Sequence, residues 1–428
     1  MTAVDTSIDS SVPAGLVEEV RDWLGANWDP EMSVRDWWEL VASAGWSKPQ
    51  FPADAGGRGL PMKAETVVRE TFKAHGALTP PGGLGHLMAA PTILTDGTRE
   101  QAERHIPPIL RGTVGWCQLF SEPGSGSDLA GLTTRAVRDG DSFVITGQKV
   151  WTSQAQQADF GMLLARTNPE VPKHRGISWI VLPMDQPGVE VRPLREMTGK
   201  AYFNEVFLDE AVASAADVVG GEGEGWRVAQ TTLLFERSGI GPDGTFSMIP
   251  HPGPKAGNLD RRAGDAVHDE PPAFAKLEVQ DLLDLARIFG RSADPLVRQE
   301  LARLVSLDRT SVWTARRARA SASGASMGLA SLGKLAGGQI TRLKIKVANE
   351  IAGAHGTLQG TGAPLGGDLA EATLSSGAVG IGGGTDEIQR NVIGERILGL
   401  PREDRTDARV PFNELTKNTT PRRDAARR

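Results

Sequence analysis

The sequence has 428 residues but only one cysteine, Cys117, and no long apolar run. A lone cysteine excludes an intramolecular disulfide framework and any zinc site or cluster held by several cysteines. No segment approaches the roughly 18 uninterrupted apolar residues of a membrane-spanning helix. The first residues, MTAVDTSIDSSVPAG, lack a basic start and an apolar stretch, so they do not fit a secretory signal. We therefore expect a cytoplasmic protein without a membrane span.

The sequence also has fewer basic than acidic residues. Lys and Arg number 47 against 53 Asp and Glu, which gives a formal net charge of −6. Nucleic-acid binding needs a basic stripe, and basic residues cluster only in the short tail TTPRRDAARR, residues 419–428. The seven histidines are scattered without the spacing of metal ligands. We therefore expect neither a nucleic-acid partner nor a metal site.

The composition and the spacing of apolar residues change twice along the chain, and this predicts three domains. Residues 1–115 are rich in Trp and place apolar residues at helical spacings. Residues 116–222 contain short Val-, Ile- and Phe-rich stretches between turn signals, which is typical of an antiparallel β domain. Helical patterns return over 223–405, before a tail at 406–428. A Pro-, Gly- and charge-rich insertion at about 242–273 is predicted to be a mobile loop.

Three sequence motifs that would indicate a nucleotide-binding site or a catalytic serine are incomplete here or lack the flanking elements they need. Residues 324–328, GASMG, match the nucleophile elbow as a string, but small-residue segments flank them where a strand is needed. Residues 328–334 nearly form a P-loop, yet Leu335 stands where Ser or Thr would bind magnesium. No Gly-x-Gly-x-x-Gly follows a strand. We therefore predict neither a serine hydrolase nor a Rossmann or P-loop site.

Two segments of the β domain carry more specific chemistry. Residues 116–128, WCQLFSEPGSGSD, offer backbone N–H groups at a glycine turn and hydroxyls that suit an anionic or carbonyl-rich ligand. Residues 147–153, GQKVWTS, place a Trp beside hydroxyls, which suits a flat aromatic cofactor. Taken singly, each segment is better explained by a structural role, as an ordinary hairpin turn and as a core Trp.

Together these strings resemble the β domain of the acyl-CoA dehydrogenase family. The resemblance continues into residues 382–401, GGGTDEIQRNVIGERILGLP, and covers roughly residues 15–405. It implies an α+β multidomain fold with an N-terminal helical domain, a central antiparallel β-barrel-like domain and a C-terminal four-helix bundle. FAD would lie between the β domain and the bundle, often completed by a neighbouring subunit.

The resemblance also implies cofactor contacts at particular residues. The flavin edge would meet Gln118, Phe120 and Ser121, while Ser127 would lie near the pyrophosphate or the substrate thioester. The other side of the isoalloxazine would be flanked by Trp151 and Ser153. A partner subunit's FAD would be reached by Asn349, Gly353 and Gly356. The ADP portion would be approached by Thr385 and Glu387.

The catalytic base is the main departure from the family pattern. Many members carry a Glu before the Gly-Thr of the C-terminal motif, where this sequence has Gly383. Other members take the base from the first bundle helix, directly before an Arg, and Glu236–Arg237 occupies that place here. We hypothesise that Glu236 is the base, that residues 233–235 make its surroundings apolar, and that Gly383 leaves room for substrate. Arg237 would then position helices or tune Glu236, and the alternative is a solvated surface pair.

A second departure concerns the family's Arg-x-x-Phe-Gly segment, which grips FAD across a dimer interface and is not recognisable here. Arg287 or Arg291 would have to substitute.

The leading hypothesis is an acyl-CoA dehydrogenase that forms a trans-2-enoyl-CoA, passes electrons to an electron-transfer flavoprotein and accepts branched, bulky or sterol-derived acyl chains. An oxidase or monooxygenase using dioxygen, or a non-catalytic subunit of a heteromeric dehydrogenase, are the alternatives. Homodimer, homotetramer and heteromer all stay open.

Overall fold

The computed structural model describes residues 12–239, 251–269, 277–320, 326–402, 407 and 409–415. Its internal contacts divide the chain into two compact units. The first comprises Met1–Leu194, Ala201–Pro271 and Thr406–Arg428, and the second comprises Arg195–Lys200 and Pro272–Arg405. Each unit is described below by itself.

The first unit begins with helices packed around aromatic side chains. They are α1 Leu16–Asn27, α2 Val34–Ser43, α3 Ala64–His75, α4 Ala90–Asp96 and α5 Arg99–Leu110, with a π-helical turn at Gly85–Ala89 before α4. Helix α2 illustrates how the sequence pattern gives these helices. Its apolar residues recur every three or four positions and so form one face, which is buried and includes the fully buried Trp37 and Trp38. Ser33 caps this helix by accepting a hydrogen bond from the Asp36 backbone N–H.

Helix α5 runs through Pro107 and Pro108, although proline inside a helix usually ends it. The two prolines leave the carbonyls of Glu103 and Arg104 without their helical donors. Both of these residues are exposed, so water can bind the two carbonyl oxygens and the last turn persists.

An eight-stranded sheet follows in the same unit. Its strands are β1 Trp116–Leu119, β2 Arg135–Asp139, β3 Ser142–Ser153, β4 Phe160–Arg166, β5 Ile177–Pro183, β6 Val189–Leu194, β7 Phe203–Ser214 and β8 Val218–Val219. Neighbouring strands run in the order β6-β7-β3-β2-β4-β5-β8, and β1 pairs with β4. The pairing is mostly antiparallel, as predicted. The exceptions are the parallel register of β1 with β4 and a single parallel pair, Arg135 with Arg166, between β2 and β4.

Helix α6, Gly225–Gly239, packs on β5, α4 and the Gly85–Ala89 turn. Its residues Val228 and Ala229 are fully buried in the same cluster as Trp179 of β5. By its contacts, α6 therefore groups with the first unit and not with the helices that follow it in sequence.

The predicted mobile loop is wrong for residues 251–269, which pack against the N-terminal helices. Helix α7, Ala263–Ala266, lies in this stretch, and Leu259 and Ala263 bury in the same apolar cluster as Trp37. The Val34 and Arg35 backbone N–H groups donate to the carbonyls of residues 261 and 259. Apolar side chains spaced among the Pro and Gly residues supply this packing; residues 242–250 and 270–273 lie outside the described part.

The second unit is helical, as predicted for the C-terminal region. Its helices are α8 Val279–Ile288, α9 Pro295–Ala320, α10 Ser326–Ala352, α11 Asp368–Ser375 and α12 Asp386–Val392, followed by a π-helical turn at Ile393–Ile397. Helix α10 is central and contacts the other four. Its buried residues, including Val347, Ala348 and Ile351, share one cluster with Leu282 and Leu304 from the neighbouring helices. In the part of the chain that is described, no helix has the length and apolar character needed to cross a membrane.

Candidate active site

The two segments singled out in the β domain lie side by side. The Val150 backbone N–H donates to the Ser121 carbonyl at 3.0 Å. The Lys149 ammonium group donates to the Phe120 carbonyl at 3.0 Å. The end of β3 therefore runs along the residues that follow β1, although some thirty residues separate them in sequence. Phe120 is buried in the core, and its carbonyl oxygen is already occupied by Lys149.

A buried ion pair that the sequence analysis did not assign fixes this junction. Glu122 and Lys149 are both buried, and their charged groups lie 2.9 Å apart. The Glu122 carboxylate also accepts hydrogen bonds from Thr133 N–H at 2.7 Å, Thr133 hydroxyl at 2.8 Å and Thr134 N–H at 2.9 Å. Burial alone would raise the pKa of Glu122, but Lys149 and these donors outweigh it and lower the pKa to about 2. The only sequence signal of this ion pair is that one motif contains a Glu and the other contains a Lys.

Glu122 also closes the neck of the loop at residues 122–134, which we name the glycine–serine loop. Its backbone exchanges two hydrogen bonds with Ser125, both 3.0 Å long. The Ser125 hydroxyl donates to the Asp128 carbonyl at 2.6 Å and tightens the turn. Ser127, which was predicted to contact the cofactor or the thioester, is exposed on this loop. Its hydroxyl is therefore accessible to a ligand on a loop whose two ends are fixed.

Trp151 lies at a bulge near the end of β3. The register between β3 and β7 shifts between Lys149 and Thr152, and Trp151 has φ 60°, a left-handed conformation that costs a non-glycine residue about 1–2 kcal/mol. Its side chain is 58% exposed and touches the edge of Phe203, with ring centroids 5.7 Å apart. β-Bulges are frequent next to active sites, where they redirect a side chain. Ser153 is half-buried beside it.

These features fit a flat cofactor ring with polar edges. The exposed indole of Trp151 offers an aromatic face held at one angle by the bulge. The neighbouring Thr152 is buried, and its hydroxyl has no hydrogen-bond partner among the described residues. In a site without a ligand, a buried hydroxyl of this kind is suited to a polar ring atom. FAD is thus compatible with the residues present.

Glu236, the predicted base, lies on α6 and faces β1. The Gln118 side-chain amide lies 3.4 Å from a Glu236 carboxylate oxygen. Glu236 is half-buried, and Leu233, one turn before it, packs against the core. Leu234, which the sequence also predicts to make the surroundings of Glu236 apolar, is 49% exposed. Arg237 follows on the same helix, and its side chain lies outside the described residues.

In the second unit, the Asn349 stretch is tightly built. The Asn349 amide donates to Ile345 carbonyl and to the Thr373 hydroxyl, both at 2.9 Å. A Cβ on Gly356 would lie 2.5 Å from the Asn349 side-chain oxygen, so a larger residue there would require that side chain to shift. Gly353 is exposed. Asn349 and Gly356 are therefore in contact, as a common role in contacting a partner subunit's FAD would require.

The residues of the C-terminal motif lie at the start of α12. Thr385 caps this helix by accepting from Ile388 N–H at 3.3 Å. Glu387 is exposed and pairs with Arg390 at 3.4 Å. Gly383 has φ 68°, and a Cβ there would have no atom within 4 Å. Space is therefore open at the position where many family members carry their base.

The sequence analysis did not assign Asp386, which lies between these residues. Its carboxylate is buried and pairs with Lys334 and Arg342, both at 2.8 Å. Of the two arginines considered for cofactor binding, Arg287 pairs with Asp284 of its own helix. Arg291 pairs with Asp294 at 2.7 Å and donates to the Glu350 carbonyl at 3.4 Å, which places it next to Asn349.

Comparisons with known proteins identify the family to which the chain belongs. Sequence profiles of the acyl-CoA dehydrogenase N-terminal, middle and C-terminal domains match residues 7–113, 117–210 and 278–398. The chain is 35% identical over 410 residues to "Acyl-CoA dehydrogenase IpdE1" of Mycobacterium tuberculosis (strain ATCC 25618 / H37Rv), covering 90% of this chain and 97% of that protein.

Two solved structures share the fold. The "Tcur3481-Tcur3483 steroid ACAD" matches with a TM-score of 0.68 and 28% identity, covering 91% of this chain and 99% of that one. The ChsE4-ChsE5 complex from Mycobacterium tuberculosis matches with a TM-score of 0.66 and 28% identity, covering 91% and 95%. The chain described here belongs to the acyl-CoA dehydrogenase family of FAD-dependent oxidoreductases.

Proposed function

We propose that this protein dehydrogenates an acyl-CoA thioester to the trans-2-enoyl-CoA, with Glu236 as the base and FAD as the cofactor. The observation that carries the proposal is the 3.4 Å contact between Gln118 and Glu236. It brings the carboxylate of α6 next to the strand that leads into the glycine–serine loop. The family's usual base position is a glycine in this chain, Gly383, so we assign the base to the carboxylate on α6.

Different residues of this chain would have different roles in the reaction. FAD, when bound, would accept the hydride that leaves the substrate's β-carbon. Glu236 would take the α-proton onto its carboxylate, and the Gln118 amide would orient that carboxylate by donating to it. Leu233, one turn before Glu236, packs against the apolar core. Gly383 would leave room for the acyl group, and Arg237 would contact the substrate or tune the base.

The cofactor would be held by two groups of residues. In the first unit these are Gln118, Phe120, Ser121, Ser127, Trp151 and Ser153. In the second unit, Asn349, Gly353 and Gly356 would reach a partner subunit's FAD, and Thr385 and Glu387 would approach the ADP portion of the cofactor. The exposed indole of Trp151 and the accessible Ser127 hydroxyl support the first group. The close fit of Gly356 against Asn349 supports the second.

The substrate class follows from the relatives and from the position of the base. A solved structure with the same fold is named a steroid acyl-CoA dehydrogenase, and in the family a base on the helix that follows the β domain, as on α6 here, accompanies bulky acyl groups. We therefore propose acyl thioesters carried on branched or ring-bearing skeletons. Anaerobic titration with straight-chain, α-methyl-branched and steroid-ring acyl-CoAs, read by flavin absorbance, tests this assignment. Bleaching by straight chains alone would contradict it.

The electrons would pass to an electron-transfer flavoprotein. After anaerobic reduction by substrate, the flavin should reoxidise slowly in air and rapidly with such an acceptor. Fast reoxidation by dioxygen alone would favour an acyl-CoA oxidase instead.

The assembly is proposed to be oligomeric, either as copies of this chain or with a related subunit. Leu296 and Trp313 of α9 are 77% and 58% exposed, and exposed apolar side chains are commonly covered on association. The ChsE4-ChsE5 structure is a complex of two such chains. Mass photometry of the purified chain, alone and coexpressed with a related subunit, distinguishes these assemblies.

The base assignment is tested by Glu236→Gln, which keeps the size and removes the charge. General-base catalysis is worth about 10²–10⁴ in rate, so flavin reduction by substrate should slow by that factor while FAD content stays constant. Glu224→Gln is the matched control, because Glu224 is exposed just before α6. Near wild-type reduction by Glu236→Gln would overturn the assignment.

A further inference from the structure

The outer edge of the glycine–serine loop is held by one lysine. Lys173 lies in the connection between β4 and β5, and its ammonium group contacts both carboxylate oxygens of Asp128 at 3.0 and 2.9 Å. The Lys173 side chain is only 12% exposed. Asp128 directly follows Ser127, so this ion pair fixes the part of the loop proposed to contact the cofactor.

The same lysine is held from the other side by the C-terminal segment, residues 407 and 409–415. The Asp407 carboxylate lies 2.7 Å from the Lys173 ammonium group. Burial works to lower the pKa of Lys173, but hydrogen bonds to Asp407 and Asp128 outweigh it and raise the pKa. Lys173 is therefore a fixed cation shared by two carboxylates.

The C-terminal segment is anchored on the β4–β5 connection by its backbone and by one aromatic ring. The Phe412 and Asn413 N–H groups donate to the carbonyls of Val171 and Pro169, both at 3.0 Å. Phe412 is buried, and the Arg166 guanidinium lies 3.6 Å from its ring centroid.

Arg166 connects this anchor to the far side of the loop. One of its terminal nitrogens donates to the carbonyls of Ala130 at 2.7 Å and Leu132 at 3.2 Å. Its other terminal nitrogen donates to the Lys173 carbonyl at 2.6 Å. Two cations, each touching the C-terminal segment, thus hold opposite ends of residues 128–132.

We propose that Lys173, together with the C-terminal segment, positions the glycine–serine loop for cofactor binding. The inference rests on the proposed function, because it takes the Ser127 side of the loop as part of the FAD site. A glycine-rich loop that is ordered beforehand loses less conformational freedom on binding, and that saving appears as affinity. The segment acts through Lys173 and Arg166 and touches neither substrate nor cofactor.

The test compares FAD affinity with loop order in FAD-free protein. Phe412→Ala and Lys173→Met should each weaken FAD binding about tenfold, the range expected when a loop must order on binding. Lys173→Arg, which keeps the cation, should restore affinity to within about threefold of wild type. The turnover of FAD-saturated enzyme should stay within about twofold, because Lys173 takes no part in the chemistry. Glu414→Gln is the control, since Glu414 is exposed on the same segment.

Hydrogen exchange of FAD-free protein provides the readout that does not depend on the cofactor. The N–H groups of Ser125, Gly131 and Leu132 are hydrogen-bonded within the loop. Their exchange should accelerate about tenfold in Phe412→Ala and in a chain ended after Arg402, and remain unchanged in Glu414→Gln. Unchanged loop exchange in the truncated chain overturns the proposal. If wild-type protein binds no FAD while loop exchange responds to truncation, the proposed function fails and the positioning of the loop stands.

Discussion

The Gln118 amide lies 3.4 Å from the Glu236 carboxylate, across the contact between β1 and α6. The two residues are 118 positions apart, and each lies on an element held by a buried face. Trp116 of β1 and Val228 of α6 belong to the same apolar cluster. The geometry of the proposed base is therefore set by core packing and not by a local loop.

Gln118→Leu should slow flavin reduction by substrate about tenfold, because a hydrogen bond to a charged group contributes about 1.5–3 kcal/mol and this one is long. Stopped-flow reduction under anaerobic conditions measures the rate. Gln299→Leu, at an exposed position of α9, should leave it unchanged. An unaltered rate in Gln118→Leu would show that the amide does not orient the base.

Glu122→Gln should destabilise the protein at pH 7 by about 3–5 kcal/mol, because it leaves the buried Lys149 ammonium group without its counter-charge. Urea unfolding gives the free energy. The double variant with Lys149→Met should lose less than the sum of the two single variants. Strict additivity would mean that the two charges do not stabilise each other.

The same pair predicts an acid dependence. The pKa of Glu122 is lowered to about 2 in the folded state, below its unfolded value of about 4.3. The unfolded chain therefore takes up the proton first, so the stabilisation is complete above about pH 5 and is lost as pH falls toward 2. The wild-type free energy of unfolding should fall more steeply between pH 5 and 3 than that of Glu122→Gln. Parallel curves for the two proteins would contradict the assignment.

Trp151→Gly should leave the free energy of unfolding of FAD-free protein within about 1 kcal/mol, because relief of the left-handed φ offsets the added freedom of glycine. FAD affinity should nevertheless fall about tenfold through loss of the aromatic face. Trp313→Leu is the matched control, because Trp313 is also 58% exposed. Equal FAD affinity in the two variants would remove Trp151 from the cofactor site.

Gly356→Ala should destabilise the protein by about 1–3 kcal/mol, because its Cβ would lie 2.5 Å from the Asn349 side-chain oxygen. Gly353→Ala meets no atom within 4 Å and carries only the strain of φ 55°, so it should cost about 1–2 kcal/mol at most. Thermal unfolding compares the two variants. A larger loss in Gly353→Ala would mean that Asn349 moves away freely.

Much of the architecture could be predicted from local pattern. The helical periodicity around Trp37 and Trp38 and the turn signals between β2 and β3 are properties of neighbouring residues, and the structure has helices and strands there. The burial of strand β7 against β3 was harder to anticipate, because β3 lies far earlier in the chain. The packing of residues 251–269 was missed for the same reason, since the Pro and Gly content conceals a few apolar contacts.

By itself, the sequence determined the order of helical, β and helical regions and the two motifs that indicate the acyl-CoA dehydrogenase family, because both depend on residue types at short spacing. Only the tertiary structure decided that Gln118 faces Glu236, that Lys149 neutralises Glu122 and that the C-terminal segment reaches Lys173. These contacts join residues from 27 to 234 positions apart. Such contacts form only when apolar burial brings distant elements together, and no local pattern specifies which polar side chains then meet.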